Sequence, residues 1–151
     1  MPKVNKGKNK LKISGVLPKE KVCNVPDFSV FFNFQYITSD KKFNFDYINK
    51  NDKKISKDLL LLLQKISQSS WEELRTKGKH NGGFEVIEYS NFKESIAGNI
   101  KHKKITKDTK LYVFRFGGDK YRMIGYKSNS CKAALHILGF DFNHTLYDHG
   151  N

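Results

Sequence analysis

Hydrophobic and polar positions alternate with period two over most of the apolar segments of this chain, and with helical period over one. The clearest stretch is Leu111 to Tyr126, LYVFRFGGDKYRMIGY. Two aromatic and apolar runs flank Gly117-Gly118-Asp119-Lys120, the pattern of a β-hairpin. A tight turn at Gly118-Asp119 sets Phe116 opposite Tyr121, Arg115 opposite Arg122 and Val113 opposite Ile124. Successive side chains leave opposite faces of a strand. One face then carries Tyr112, Phe114, Phe116, Tyr121 and Met123, assigned to the core. The other carries Leu111, Val113, Arg115, Arg122, Ile124 and Tyr126. Like charges directly opposite repel. Either an acidic side chain or a bound phosphate lies between the arginines, or both splay into water.

The rest of the chain follows in order. Phe28 to Thr38 and Lys42 to Ile48 alternate around the polar Ser39-Asp40-Lys41-Lys42 and read as a strand pair. Ser56 can cap a helix with Asp58 in its first turn and a stripe of Ile55, Leu59, Leu62, Leu63 and Ile66. Ser70-Trp71-Glu72-Glu73 has capping-box spacing for a second, short helix that Gly78 can end. Lys77 to Gly83, KGKHNGG, is a flexible basic loop, and Phe84 to Tyr89 a strand. Phe92 to Ile96 reads as one helical turn, and Ile100 to Lys110 as a basic loop or a lysine-protected edge. Ala133 to Phe142 is a third consecutive antiparallel strand, with His136 on the face of Leu138, Phe140 and Phe142 as a core histidine. Together these predict one α+β domain over residues 27–151, a mainly antiparallel β-sheet packed against a short helical pair. Residues 1–26, rich in lysine with Glu20 the only acid, form a basic arm that is disordered or extended.

Charge narrows the partners. A net charge of +13 and a pI near 9.7 attract polyanions, RNA or DNA first. The same charge could also arise from the lysine, asparagine and isoleucine usage of an AT-rich genome, or serve an anionic membrane surface. No basic amphipathic helix stands out for the latter. Lys79 and His80 in the first basic loop, Lys101, Lys103 and Lys104 in the second, and Lys120 in the hairpin turn are the candidate phosphate contacts. Cys23 and Cys131 are the only cysteines and form no CxxC, which argues against a metal site and against a disulfide framework. A reducing cytoplasm fits. No apolar leader segment is evident, and the longest apolar run, Leu59 to Leu63, is too short to span a bilayer.

The C-terminal segment carries a different chemistry. Asp141 to Gly150 gathers His144, His149, Tyr147 and two acids just past a strand end. Acid–base chemistry near neutral pH wants imidazole oriented by a carboxylate; the alternative is a polar terminus with incidental histidines. No Gly-rich phosphate loop, GxSxG elbow or HExxH helix occurs.

The helix pair, then "LYVFRF", a Gly-Gly turn, "KYRMIGY" and a last strand "ALHILGF" resemble the RelE/ParE toxin superfamily over roughly Ser56 to Phe142. The resemblance implies a helical hairpin on a small antiparallel sheet. For RelE-like and HigB-like members it implies an mRNA interferase, an endoribonuclease acting by 2′-OH attack, commonly on the ribosome, without a metal or cofactor. It would give Arg122 the role of stabilising the phosphorane and Arg115 that of binding a phosphate. The lysine pair usual after the last phenylalanine is replaced here by Asp141-Phe142-Asn143-His144. His144 would then serve as general base or acid, with Tyr147 or His149 as its partner. The resemblance also implies an acidic antitoxin covering the basic face. ParE-like members poison gyrase instead, so fold alone does not fix activity. The alternatives are a non-catalytic nucleic-acid-binding protein and a phage- or defence-related basic protein that binds an acidic protein surface.

Overall fold

The computed structural model describes residues 29–93, 96 and 105–148. The predicted basic arm, Lys101, Lys103, Lys104 and His149 lie outside the described residues. In chain order the elements are β1 (Phe31–Asn33), α1 (Phe45–Lys50), α2 (Lys53–Ser67), α3 (Trp71–Thr76), β2 (Phe84–Glu88), β3 (Lys110–Phe116), β4 (Tyr121–Lys127) and β5 (Ala134–Asp141).

Local sequence sets the helices. Asp52, not Ser56, caps α2: its carboxylate accepts the Lys54 amide at 2.8 Å, so the helix starts a turn earlier than Ser56 would allow. Ile55, Leu59, Leu62 and Ile66 form its buried stripe, each side chain stabilising the fold by about 1.5–3 kcal/mol. Ser70 and Glu73 form the expected capping box, with bonds of 3.1 and 2.9 Å that start α3. Trp71 is buried edge-on against Phe84 and Tyr112, and Lys127 lies 4.5 Å above its ring.

The strands form one sheet of order β1-β5-β4-β3-β2, antiparallel except for the parallel β1–β5 pair. The chain is therefore α+β, with a mainly antiparallel sheet and helices on one face. The hairpin register is the expected one, with Phe116 on Tyr121, Arg115 on Arg122 and Val113 on Ile124. Tyr112, Phe114, Phe116, Tyr121 and Met123 pack toward the helices. Leu111, Val113, Ile124 and Tyr126 form a second core on the opposite face, closed by Phe43, Ile96, Leu146 and Tyr147.

Three further expectations are corrected. The segment read as a second strand near Phe45 is helix α1, because the Asn44 side chain accepts the Asp46 amide at 2.8 Å and starts a turn there. Its period-two aromatics go separate ways: Phe43 enters the second core, while Tyr47 stacks on Phe142 at 4.4 Å. His136 does not share a face with Phe140 and Phe142. A register shift between Ile124 and Gly125 intervenes, and His136 stacks on Tyr126 at 4.8 Å. Cys131 is disulfide-bonded, against the expectation of reduced thiols. A cysteine outside any CxxC carries no spacing signal for a bridge. Among the described residues, no helix is long and apolar enough to cross a membrane.

Candidate active site

Alternation places both hairpin arginines on the face away from the helices, and the register lines up charge across the turn end of the sheet. Arg115 of β3 pairs with Arg122 of β4, which pairs with Asp141 of β5. Glu85 of β2 faces Val113, the same-face neighbour of Arg115. The arginines turn inward rather than into water: Arg122 is 3% exposed and the Arg115 side chain 12%.

Glu85 is the acidic side chain that makes this burial tolerable. Its Oε1 accepts Arg115 Nη2 at 3.3 Å and the Tyr147 hydroxyl at 3.2 Å, while Oε2 meets Lys79 Nζ at 3.1 Å. Arg122 is held differently. Its Nη1 donates to the carbonyl oxygens of Asp119, at 2.6 Å, and Tyr121, at 3.2 Å. The Nε groups of both arginines are buried and find no hydrogen-bond acceptor among the described residues. Arg122 also makes a side-chain hydrogen bond with Tyr147.

The hairpin turn supplies the next pair. Gly117, Gly118 and Asp119 all take left-handed backbone, with φ of 63°, 65° and 65°, a conformation that glycine and aspartate tolerate best. The turn aims the Asp119 carbonyl at Arg122 and its carboxylate at His80, whose Nδ1 lies 2.6 Å from Oδ2. His80 comes from the loop after α3, closed by the Asn81 and Gly83 amides donating to the Gly78 carbonyl. Only glycine fits at position 83, because a Cβ there would lie 2.0 Å from the Lys77 carbonyl oxygen. Lys79 and His80 are thereby presented together at the end of the sheet.

Asp141 brings in the tyrosine. Fully buried, it accepts the amides of Asn143 and Thr145 on Oδ1 and of Leu146 on Oδ2, at 3.0–3.3 Å. The chain turns through His144, at φ 57°, and returns beneath the second face, where Tyr147 bridges to Phe92. Exposure is graded across the cluster. His80 and Asp119 are its open side, or mouth, with side chains 58% and 43% exposed, and Arg115, Glu85, Tyr147 and Arg122 are its more buried part.

Protonation follows from these contacts. Burial pushes the Glu85 carboxyl up, but Lys79, Arg115 and the Tyr147 hydroxyl outweigh it and leave the acid stronger than usual. The His80 hydrogen bond, with help from the arginine charges, holds the Asp119 carboxyl low despite some burial. Burial first, and then the Glu85 charge, push the Tyr147 phenol up to about 12 against the pull of Arg122. Near neutrality Glu85 is therefore a carboxylate and Tyr147 a neutral phenol.

Of the sequence candidates, Arg115, Arg122, Tyr147, Lys79 and His80 come together. Lys120 lies exposed in the turn beside them. His144 is exposed on the loop after β5, where the adjacent Asn143 meets Tyr47 of α1 at 3.4 Å. Glu85 and Asp119 were missed. The signal for Glu85 was its place in the Phe84 to Tyr89 strand, on the face of the second core. Among the described residues, no group of three His, Cys, Asp or Glu side chains is arranged to hold a metal. Comparison with protein-family models, with curated proteins and with solved structures gives no match.

Proposed function

We propose that this chain is a metal-independent endoribonuclease of toxin type that cleaves mRNA by 2′-OH attack. The observation that carries the reading is the convergence of Arg115, Glu85, Tyr147 and the His80–Asp119 pair at one end of the sheet. With its Nδ1 proton donated to Asp119, His80 carries its lone pair on Nε2, at the open mouth. There it takes the proton of a ribose 2′-OH. The 2′-oxygen bonds to the adjacent phosphorus and the P–O5′ bond breaks, leaving a 2′,3′-cyclic phosphate and a 5′-hydroxyl. Arg115 offsets the charge that builds on the phosphorane, usually the largest catalytic contribution. Tyr147, its phenol pushed up to about 12, keeps its proton until the leaving O5′ needs one. Arg122, deeper in, acts as a positioning residue through the Asp119 carbonyl.

The resemblance to RelE/ParE toxins supports the same reading, as does the packing of a helical pair on an antiparallel sheet. It carries with it the ribosome as a site of action and an acidic antitoxin as a partner. An mRNA substrate implies action in the cytoplasm, whereas the Cys131 disulfide argues for an oxidising compartment. A second reading, a non-catalytic nucleic-acid-binding module, is favoured by one observation: Glu85 already neutralises part of the Arg115 charge.

The test is incubation of oxidised and of reduced protein with end-labelled mRNA in EDTA, with and without ribosomes. Cleavage that falls about 100-fold or more in His80→Ala and Arg115→Ala supports the enzyme. Tight, salt-sensitive binding with intact RNA supports the binding module. Neither cleavage nor binding leaves an acidic protein surface as the partner.

A further inference from the structure

The ring of His80 has a second neighbourhood. Besides meeting Asp119, it bounds a cleft of about 570 Å³ between the end of α2 and the loop after α3, lined chiefly by Lys65, Gln68, Ser69, Lys77, His80 and Asn81. The size lies within the range of about 300–1,000 Å³ typical of clefts for small ligands. The walls are fixed by backbone bonds. The Gln68 amide donates to the Gln64 carbonyl, Ser69 Oγ donates to the Lys65 carbonyl at 2.9 Å, and Gly83 lets the loop pack against the Lys77 and Leu74 carbonyls.

The lining has the composition of a nucleotide site. Lys65 and Lys77 bring cations from two different elements, suited to phosphate. Gln68 and Asn81 end in carboxamides, each with donors and an acceptor of the kind that reads base edges. Among the described residues His80 brings the one ring to the lining, so a base there is held chiefly by hydrogen bonds. Continuity supplies the second argument. His80 lines the cleft and also meets Asp119, so a strand with its phosphate beside His80 can run on into the cleft.

We propose that this cleft binds the ribonucleotide adjoining the cleaved phosphate, with Lys65 and Lys77 on its backbone phosphates and Gln68 and Asn81 on its base edge. The proposal rests on the ribonuclease reading for the identity of its ligand. It extends that reading from a site of chemistry to a site of sequence selection. The strand must be single, because the base edges of an RNA duplex are paired and its deep groove is closed to side chains.

The experiment titrates binding of an uncleavable 2′-deoxy-substituted single strand against salt, for the wild type, Lys65→Glu/Lys77→Glu and the milder Lys65→Gln/Lys77→Gln. Each single-strand phosphate contact contributes about 0.7 to the slope of log affinity on log salt. The double variants should bind at least tenfold more weakly, with a slope smaller by about 1.4. Gln68→Ala and Asn81→Ala should alter the preference among strands that differ in one base. Wild-type affinity and slope in both double variants would overturn the proposal. Binding that depends on Lys65 and Lys77 in a protein that never cuts RNA would support the cleft and overturn the ribonuclease reading. Cutting that persists beside unchanged binding would do the reverse.

Discussion

The Tyr147 hydroxyl donates to Glu85 Oε1 at 3.2 Å, joining residues 62 positions apart in sequence on the oxygen that also takes the Arg115 guanidinium. One carboxylate therefore holds the C-terminal segment, the hairpin and the edge strand β2 in a single cluster. Removing it should cost stability and not only activity.

Glu85→Gln keeps the shape and removes the charge. It removes the anion that Arg115 and Lys79 contact directly, and the expected loss near neutral pH is about 1–3 kcal/mol. Because the folded carboxyl is held below its ordinary value of 4.5, its stabilisation is present above that value and is lost as pH falls through the folded value. Urea unfolding of wild type and variant should differ near neutrality and converge in acid. Equal midpoints near neutrality would contradict the cluster.

Tyr147 should act at the other end of the pH scale. Its phenol titrates near 12 in the folded chain against 10.0 for a free phenol, so an unfolded chain releases this proton first. The stabilisation is complete below pH 10.0 and is lost as pH rises toward 12. Tyr126, pushed up to about 12 by burial and then by Tyr36, adds a parallel loss. Tyr147→Phe should flatten the alkaline fall in stability without abolishing it. An unchanged profile would show that the phenol is not buried against Glu85.

Gly83→Ala tests how the mouth of the site is built. A methyl group 2.0 Å from the Lys77 carbonyl oxygen must push the loop open. We expect a loss of about 1–3 kcal/mol by chemical denaturation. Any RNA cleavage should fall as well, since His80 no longer reaches Asp119. A variant as stable and active as the wild type would contradict the loop geometry.

The parts of this fold that depend on near neighbours were legible in the sequence. The glycine turn and the alternation around it set the hairpin register to the residue, and Ser70 with Glu73 marked the start of α3. What was not legible depends on contacts across the chain. The period-two run at Phe43, Phe45 and Tyr47 looks like a strand until Asn44 is seen to cap a helix. A single inserted residue in β5, between the partners of Ile124 and Gly125, moved His136 away from Phe140. The candidate site was half visible. Opposed arginines demanded an anion, but only the β2–β3 register identifies Glu85 as that anion. The Asp119–His80 contact joins a loop and a turn 39 residues apart, and no local pattern announces it.

The chemistry of the RNA ends separates attack by the 2′-hydroxyl from every other route of cleavage. Fragments made by the purified protein in EDTA should carry 2′,3′-cyclic phosphate and 5′-hydroxyl ends, and a single 2′-deoxy substitution at the cut position should abolish cleavage there. Fragments bearing 5′-phosphate ends, or cutting that ignores the missing 2′-hydroxyl, would contradict an attack launched through His80 and stabilised by Arg115.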